Sequence, residues 1–214
     1  MIEKLIEAVD RADSAQGLLD AVEALAAVRD RAAIPTLIDV LKYNNPGAAV
    51  AAVDGLINIG EAVVPHLLEN LDDYNYGARA WAIRVFAGVG APSALDLLLN
   101  AASTDFSLSV RRAAARGLGF INWSKLPEIE RLPAQTEVLK TLLLVADDGE
   151  WVVRYSAVVG LQALYTAIET QPELSNQILE KLRQIWQTDT EVAVSTRVQL
   201  ALQKLNRDLV GLVY

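Results

Sequence analysis

One spacing recurs along this chain and narrows what it can fold into. An Asp is followed six positions later by an Arg, which opens an Ala-rich apolar run. The spacing occurs in DYNYGARAWAIRVFAGVG (Asp73, Arg79), DFSLSVRRAAARGLGFIN (Asp105, Arg111) and DGEWVVRYSAVVGLQAL (Asp148, Arg154). A degenerate copy runs from Asp189 with Ser195 in the Arg place, and an earlier one has Tyr43 and Ala49 at the two places. Before each copy lies a second apolar helical pattern: Ile34–Lys42, Val63–Leu71, Ala94–Ala102, Val138–Ala146 and Ile178–Trp186. A pair of short helices cannot bury its apolar face alone, so neighbouring pairs must stack. Five units and an N-terminal cap pair (Ile2–Val9, Leu18–Val28) predict an all-α solenoid, a single domain over residues 1–214.

Local signals agree with this division. Pro35, Pro65 and Pro92 stand at or just before the first turn of a first helix, where a missing N–H costs little. Gly60 and Gly90 close second helices, as left-handed caps would. The repeat steps from Ala49 to Arg79 to Arg111 at similar lengths, then takes a longer step to Arg154. The added chain lies in NWSKLPEIERLPAQT, an insertion around residues 122–136. Asp208–Tyr214 is apolar where an end cap should be polar, which predicts a folded-back cap or a partner contact.

The two faces of the second helices differ in kind. Val110, Ala114, Gly117, Leu118 and Ile121 form one helical stripe and must be core. The matching stripes are Ala78, Ala82, Val85, Phe86, Val89 and Val153, Ala157, Gly160, Leu161, Leu164. Residues two positions earlier lie on the side facing away from that core. They are Tyr76, Ala80, Arg84, then Leu108, Arg112, Arg116, then Trp151, Tyr155, Val159. A solvated face would carry Lys, Glu and Gln; this one carries the residue types enriched at interfaces. It is read as a ridge for a ligand or partner, the alternative being ordinary surface. Trp81 stands where neighbouring copies have Ala113 and Ser156, so it fills a gap or forms an aromatic wall. Trp123 and Trp186 are assigned to packing in the insertion and at the C-terminus. The Asp–Arg spacing suits salt bridges tying one repeat to the next, a structural role for Arg111 and Arg154.

Composition excludes several chemistries. Acidic residues outnumber basic ones 27 to 19, which argues against a phosphate backbone as partner. There is no cysteine and one histidine, His66, so thiolate sites, multi-histidine metal sites and a conventional triad are disfavoured. No apolar run reaches the roughly 18 residues of a membrane span, and the acidic amphipathic start lacks a signal-peptide pattern. A soluble, cytoplasmic protein is expected.

At DDYNYGARAWAIRVFAGVGAPSALDLL and FSLSVRRAAARGLG the chain resembles the HEAT-like repeat family of phycobilisome lyases, of the F-subunit kind. The resemblance spans nearly the whole chain. It implies a HEAT-like α-solenoid that pairs with a related E-type subunit and attaches phycocyanobilin to a cysteine of the phycocyanin alpha subunit through a thioether. It also implies no cofactor of the chain's own, with phycocyanobilin as substrate. An isomerising relative carries a His–Cys pair in the region matching Asn75–Tyr76; neither is present here, so ligation without isomerisation is implied. A thiol adding to the ethylidene group of a tetrapyrrole needs the chromophore held in one orientation. Its propionates call for arginines, its pyrrole nitrogens for a carboxylate and its rings for aromatic walls. Asp72, Asp73, Tyr74, Tyr76, Arg79, Trp81, Arg84, Arg112, Arg116, Trp151 and Tyr155 supply those types, for bilin or for partner, with no general base assigned. The competing readings are a non-catalytic HEAT-like protein of phycobilisome assembly or disassembly and a generic bridging scaffold.

Overall fold

The computed structural model describes residues 1–70 and 75–211, the segment 206–211 as backbone only. Asp72, Asp73 and Tyr74 therefore lie outside the described residues, as do the side chains of the C-terminal apolar segment. The fold is an all-α HEAT-like solenoid, and no strand occurs among the described residues. No helix among them is long and apolar enough to cross a membrane. The chain forms two compact units, Met1–Ala94 and Leu95–Tyr214.

The first unit contains the cap pair α1 (Ile2–Asp10) and α2 (Ala15–Ala27), then α3 (Ile34–Val40) with α4 (Pro46–Ile59), and α5 (Val63–Glu69) with α6 (Tyr76–Val89). Second helices lie side by side, α2 on α4 and α4 on α6. Asparagine starts two of them in the same way. Asn45 Oδ1 accepts the Ala48 N–H and Asn75 Oδ1 the Ala78 N–H, each at 3.0 Å, satisfying a free N–H of the first turn. The Asn45 amide also donates to the Ala15 carbonyl at 2.9 Å, which fixes α4 to the start of α2. Gly90 closes α6 in the left-handed conformation expected (φ 64°, ψ 25°). Gly60 departs from expectation: its φ of 86° is positive, but its ψ of −149° puts it in a region open essentially to glycine alone.

The second unit stacks α7 (Leu95–Thr104) with α8 (Leu108–Leu118), α9 (Glu128–Val145) with α10 (Trp151–Ala167), and α11 (Pro172–Thr188) with α12 (Val192–Gly211). Here α8 packs on α10 and α10 on α12. The stripes Val110–Ile121 and Val153–Leu164 are buried at every residue assigned to them. In α6, Ala82, Val85 and Phe86 are buried while Ala78 and Val89 are half-buried. Most of the added chain at 122–136 is helical. After a 3-10 turn at Trp123–Lys125, α9 begins at Glu128, ten residues before the apolar pattern seen in the sequence, and runs through Pro133. Arg131 Nε donates to the Leu126 carbonyl at 2.9 Å and ties the turn to the helix. The packing role assigned to Trp186 does not hold, because its side chain projects from α11 and is 52% exposed.

Candidate functional site

The Asp–Arg spacing resolves into a structural ladder. Arg111 reaches forward to Asp148, Nε to Oδ2 at 2.8 Å and Nη2 to Oδ1 at 3.1 Å. Arg154 repeats the fork one pair later on Asp189, at 2.7 and 3.0 Å. Each Nη1 donates back to carbonyls of its own turn, Asp105 and Phe106 for Arg111, Asp148 and Gly149 for Arg154. A planar fork bound to a carboxylate on one side and to backbone on the other spends four of its five N–H donors on the fold. Burial pushes the Asp148 carboxyl up. The Arg111 hydrogen bond, the Glu150 N–H and the nearby guanidinium charges outweigh it, so the group sits below its ordinary value. At Asp189 the Arg154 hydrogen bond leads, with the same net direction.

The faces assigned to a ligand or partner point outward. In the second unit Leu108, Arg112 and Arg116 of α8 are exposed, as are Trp151 and Tyr155 of α10, with Val159 half-buried. Because α8 and α10 pack against each other, these residues share one surface. Close approach of the two helices requires small residues: a Cβ on Gly119 would lie 2.4 Å from the Gly160 carbonyl oxygen. Arg116 stands over the Phe120 ring at 5.8 Å. Phe106, in the turn before α8, is 75% exposed and adds apolar surface.

In the first unit two of the assigned residues line an open groove of about 510 Å³ between the first turns of α4 and α6. Tyr76 and Trp81 line it with Lys42, Tyr43 and Asn44. The volume falls in the range of small-molecule sites. Tyr76 is exposed, Arg79 half-buried. Trp81 is half-buried, and the Arg84 guanidinium lies 4.7 Å from its ring centroid. Trp81 is thus a ring at the edge of a groove, backed by a cation.

One residue with the same character escaped the sequence reading. Arg197 of α12 occupies the repeat position of Trp81, Ala113 and Ser156. Its Nη2 donates to Gln162 Oε1 of α10 at 2.6 Å, and its Nη1 is buried without a hydrogen-bond partner among the described residues. Carrying the register of Trp81 into the degenerate copy from Asp189 would have found it. His66 is exposed on α5 and lines no part of either surface. The chain has no cysteine, so neither surface carries a thiol.

These features define a HEAT-repeat protein: the HEAT repeats pattern matches residues 2–76 and 64–162. Relatives narrow the class. The chain is 61% identical over 163 residues to the phycocyanin alpha phycocyanobilin lyase CpcF of Synechocystis sp., covering 76% of each chain. It is 54% identical over 206 residues to the phycobilisome maturation protein of Synechococcus elongatus, covering 96% of this chain and 98% of that one. A solved complex of CpcE and CpcF of phycocyanin lyase from Nostoc sp. PCC7120 superposes with a TM-score of 0.75 at 49% identity, over 81% of this chain and 99% of the matched one. The chain belongs to the phycocyanobilin lyase family, on the side of its CpcF or beta subunits.

Proposed function

We propose that this chain is the F-type subunit of a two-subunit bilin lyase. With an E-type HEAT-repeat partner it attaches phycocyanobilin to a cysteine of the phycocyanin alpha subunit. The observation that carries the reading is the outward face of α8 and α10. Arg112, Arg116, Trp151 and Tyr155 stand there in a chain that keeps its other arginines of the same helices in a carboxylate ladder. In the reaction a thiol adds across the exocyclic double bond of the bilin. Sulfur bonds to the side-chain carbon, hydrogen goes to the ring system, and nothing leaves. The work left to the protein is to hold a flexible tetrapyrrole against one thiol, a proximity effect. Arginines take its propionates, aromatic rings flank its pyrroles, and the acceptor supplies the sulfur. Tyr76 and Trp81 in the α4–α6 groove, with Arg79 and Arg84 on the same helix, are a second surface for bilin or partner, and Asp72, Asp73 and Tyr74 adjoin it in sequence. A cytoplasmic location goes with this reading.

The test is coexpression of the chain with an E-type subunit, the phycocyanin alpha apoprotein and a phycocyanobilin source. A covalent bilin on the alpha subunit, absent when either lyase chain is omitted, is the expected result. An equal yield without this chain would reject the proposal and favour an assembly role.

A further inference from the structure

Arg111 and Arg154 show how this protein treats a structural arginine: each is turned into a bidentate pair with a carboxylate. Arg197 is treated differently. Its guanidinium is drawn in between α10 and α12, its Nη1 is buried with no hydrogen-bond partner among the described residues, and its hydrogen-bonded neighbour is the neutral amide of Gln162. The Tyr155 phenol and a second cation, Arg116, act on it electrostatically. Burial and the nearby Arg116 charge lower its pKa from the ordinary value, against the opposing effect of Tyr155. A half-buried cation set beside another cation is unfavourable until an anion joins it.

We propose that Arg197, together with Arg116, is a carboxylate-binding subsite whose ligand is a propionate of the bilin. This rests on the lyase reading above and adds the residue that anchors the chromophore. The surroundings favour a propionate over an acidic peptide. Trp151 and Tyr155 present rings, and Leu108 an aliphatic surface, on the same face. That combination suits a flat apolar body joined to its carboxylate by a short arm. The carboxylate enters beside Tyr155, and the long arginine side chain turns Nη1 toward it while Nη2 keeps Gln162. A fork with one donor already fixed loses less freedom on binding than a free surface arginine. The subsite belongs to α8, α10 and α12 alone.

The experiment uses the purified heterodimer with its E-type partner, titrated with phycocyanobilin and with its dimethyl ester, followed by absorbance. Wild type should bind the free acid more tightly than the ester. Arg197→Gln should weaken the free acid by about 10- to 100-fold, the size of a charge-assisted pair, and leave the ester within about twofold. Arg197→Lys should recover part of the loss, since it restores charge without the fork. Equal affinities of wild type and Arg197→Gln for the free acid would overturn the subsite. So would an equal loss for acid and ester. A wild-type heterodimer that ligates bilin but binds acid and ester alike would overturn the subsite and leave the lyase reading intact. No binding and no ligation by wild type would reject both. Loss of the heterodimer in both Arg197 variants would overturn the subsite and assign Arg197 to subunit contact.

Discussion

Arg111 and Asp148 are joined by two parallel hydrogen bonds across 37 positions of chain, and Asp148 in turn caps the Glu150 N–H at 2.8 Å. The two side chains are only 17% and 13% exposed, so the pair is shielded from water. Removing one partner leaves the other charge half-buried and unpaired, which costs more than the pair itself contributes. Asp148→Ala is expected to destabilise the protein by about 2–4 kcal/mol, measured by urea unfolding. Asp148→Ala made in an Arg111→Ala background should cost distinctly less. Additive losses would show that the pair does not couple.

The same ladder sets an acid limit. Asp148 and Asp189 titrate below their ordinary value in the folded chain. A carboxylate of lowered pKa contributes stability above its unfolded pKa, about 3.9, and loses it as pH falls through the folded value. Unfolding free energy should therefore be insensitive to these two groups above about pH 5 and fall as pH drops below about 4. The double variant Asp148→Asn, Asp189→Asn should be less stable at neutral pH and show a shallower acid decline. An unchanged decline would place the acid sensitivity elsewhere.

Close packing of α8 and α10 depends on glycine. A Cβ on Gly160 would lie 2.5 Å from the Ala115 carbonyl oxygen and 2.9 Å from Leu142. Backbone cannot yield as a side-chain tip does, so Gly160→Ala should destabilise by about 1–3 kcal/mol. Gly149→Ala, where a Cβ meets nothing within 4 Å, is the matched control and should be neutral or slightly stabilising. A similar response at both positions would contradict the packing argument.

Much of this organisation was legible in the residues. Period and stripe placed Val110, Ala114 and Leu118 inside and Arg112 and Arg116 outside, because an amphipathic helix has one way to turn its apolar side inward. The Asp–x5–Arg spacing announced a ladder tying one repeat to the next; that Arg111 and Arg154 take the side chain of the following copy's aspartate, and only backbone from their own turn, is a choice that local spacing cannot carry. The helical start of the insertion was hidden by Pro133 and by its charged residues, whose periodicity is weak. Arg197 was hidden for a different reason. Its copy lacks the arginine that marks the register, so a cation at the Trp81 position had no frame in which to look unusual.

The groove of the first unit gives a separate expectation. Trp81 and Arg84 are stacked beside it, so Trp81→Ala removes both a wall and the support of a cation. Bilin ligation by the coexpressed heterodimer should fall by about tenfold, in line with the loss of a stacked aromatic and its cation contact. Helicity should be retained, because Trp81 is half-buried and outside the core stripe. Wild-type yield would remove the groove from the bilin or acceptor path.

A ladder holds the fold and an outward face serves the chromophore, and one comparison decides between that division and a merely structural surface. The measurement is covalent bilin yield on the phycocyanin alpha subunit for wild type and for Arg112→Ala, Arg116→Ala and Trp151→Ala combined, each coexpressed with the E-type partner. Thermal stability and heterodimer recovery are taken on the same samples. The triple variant should keep its fold and its partner, since these side chains are exposed, and lose at least about tenfold in yield. Wild-type yield from a folded, paired triple variant would contradict it.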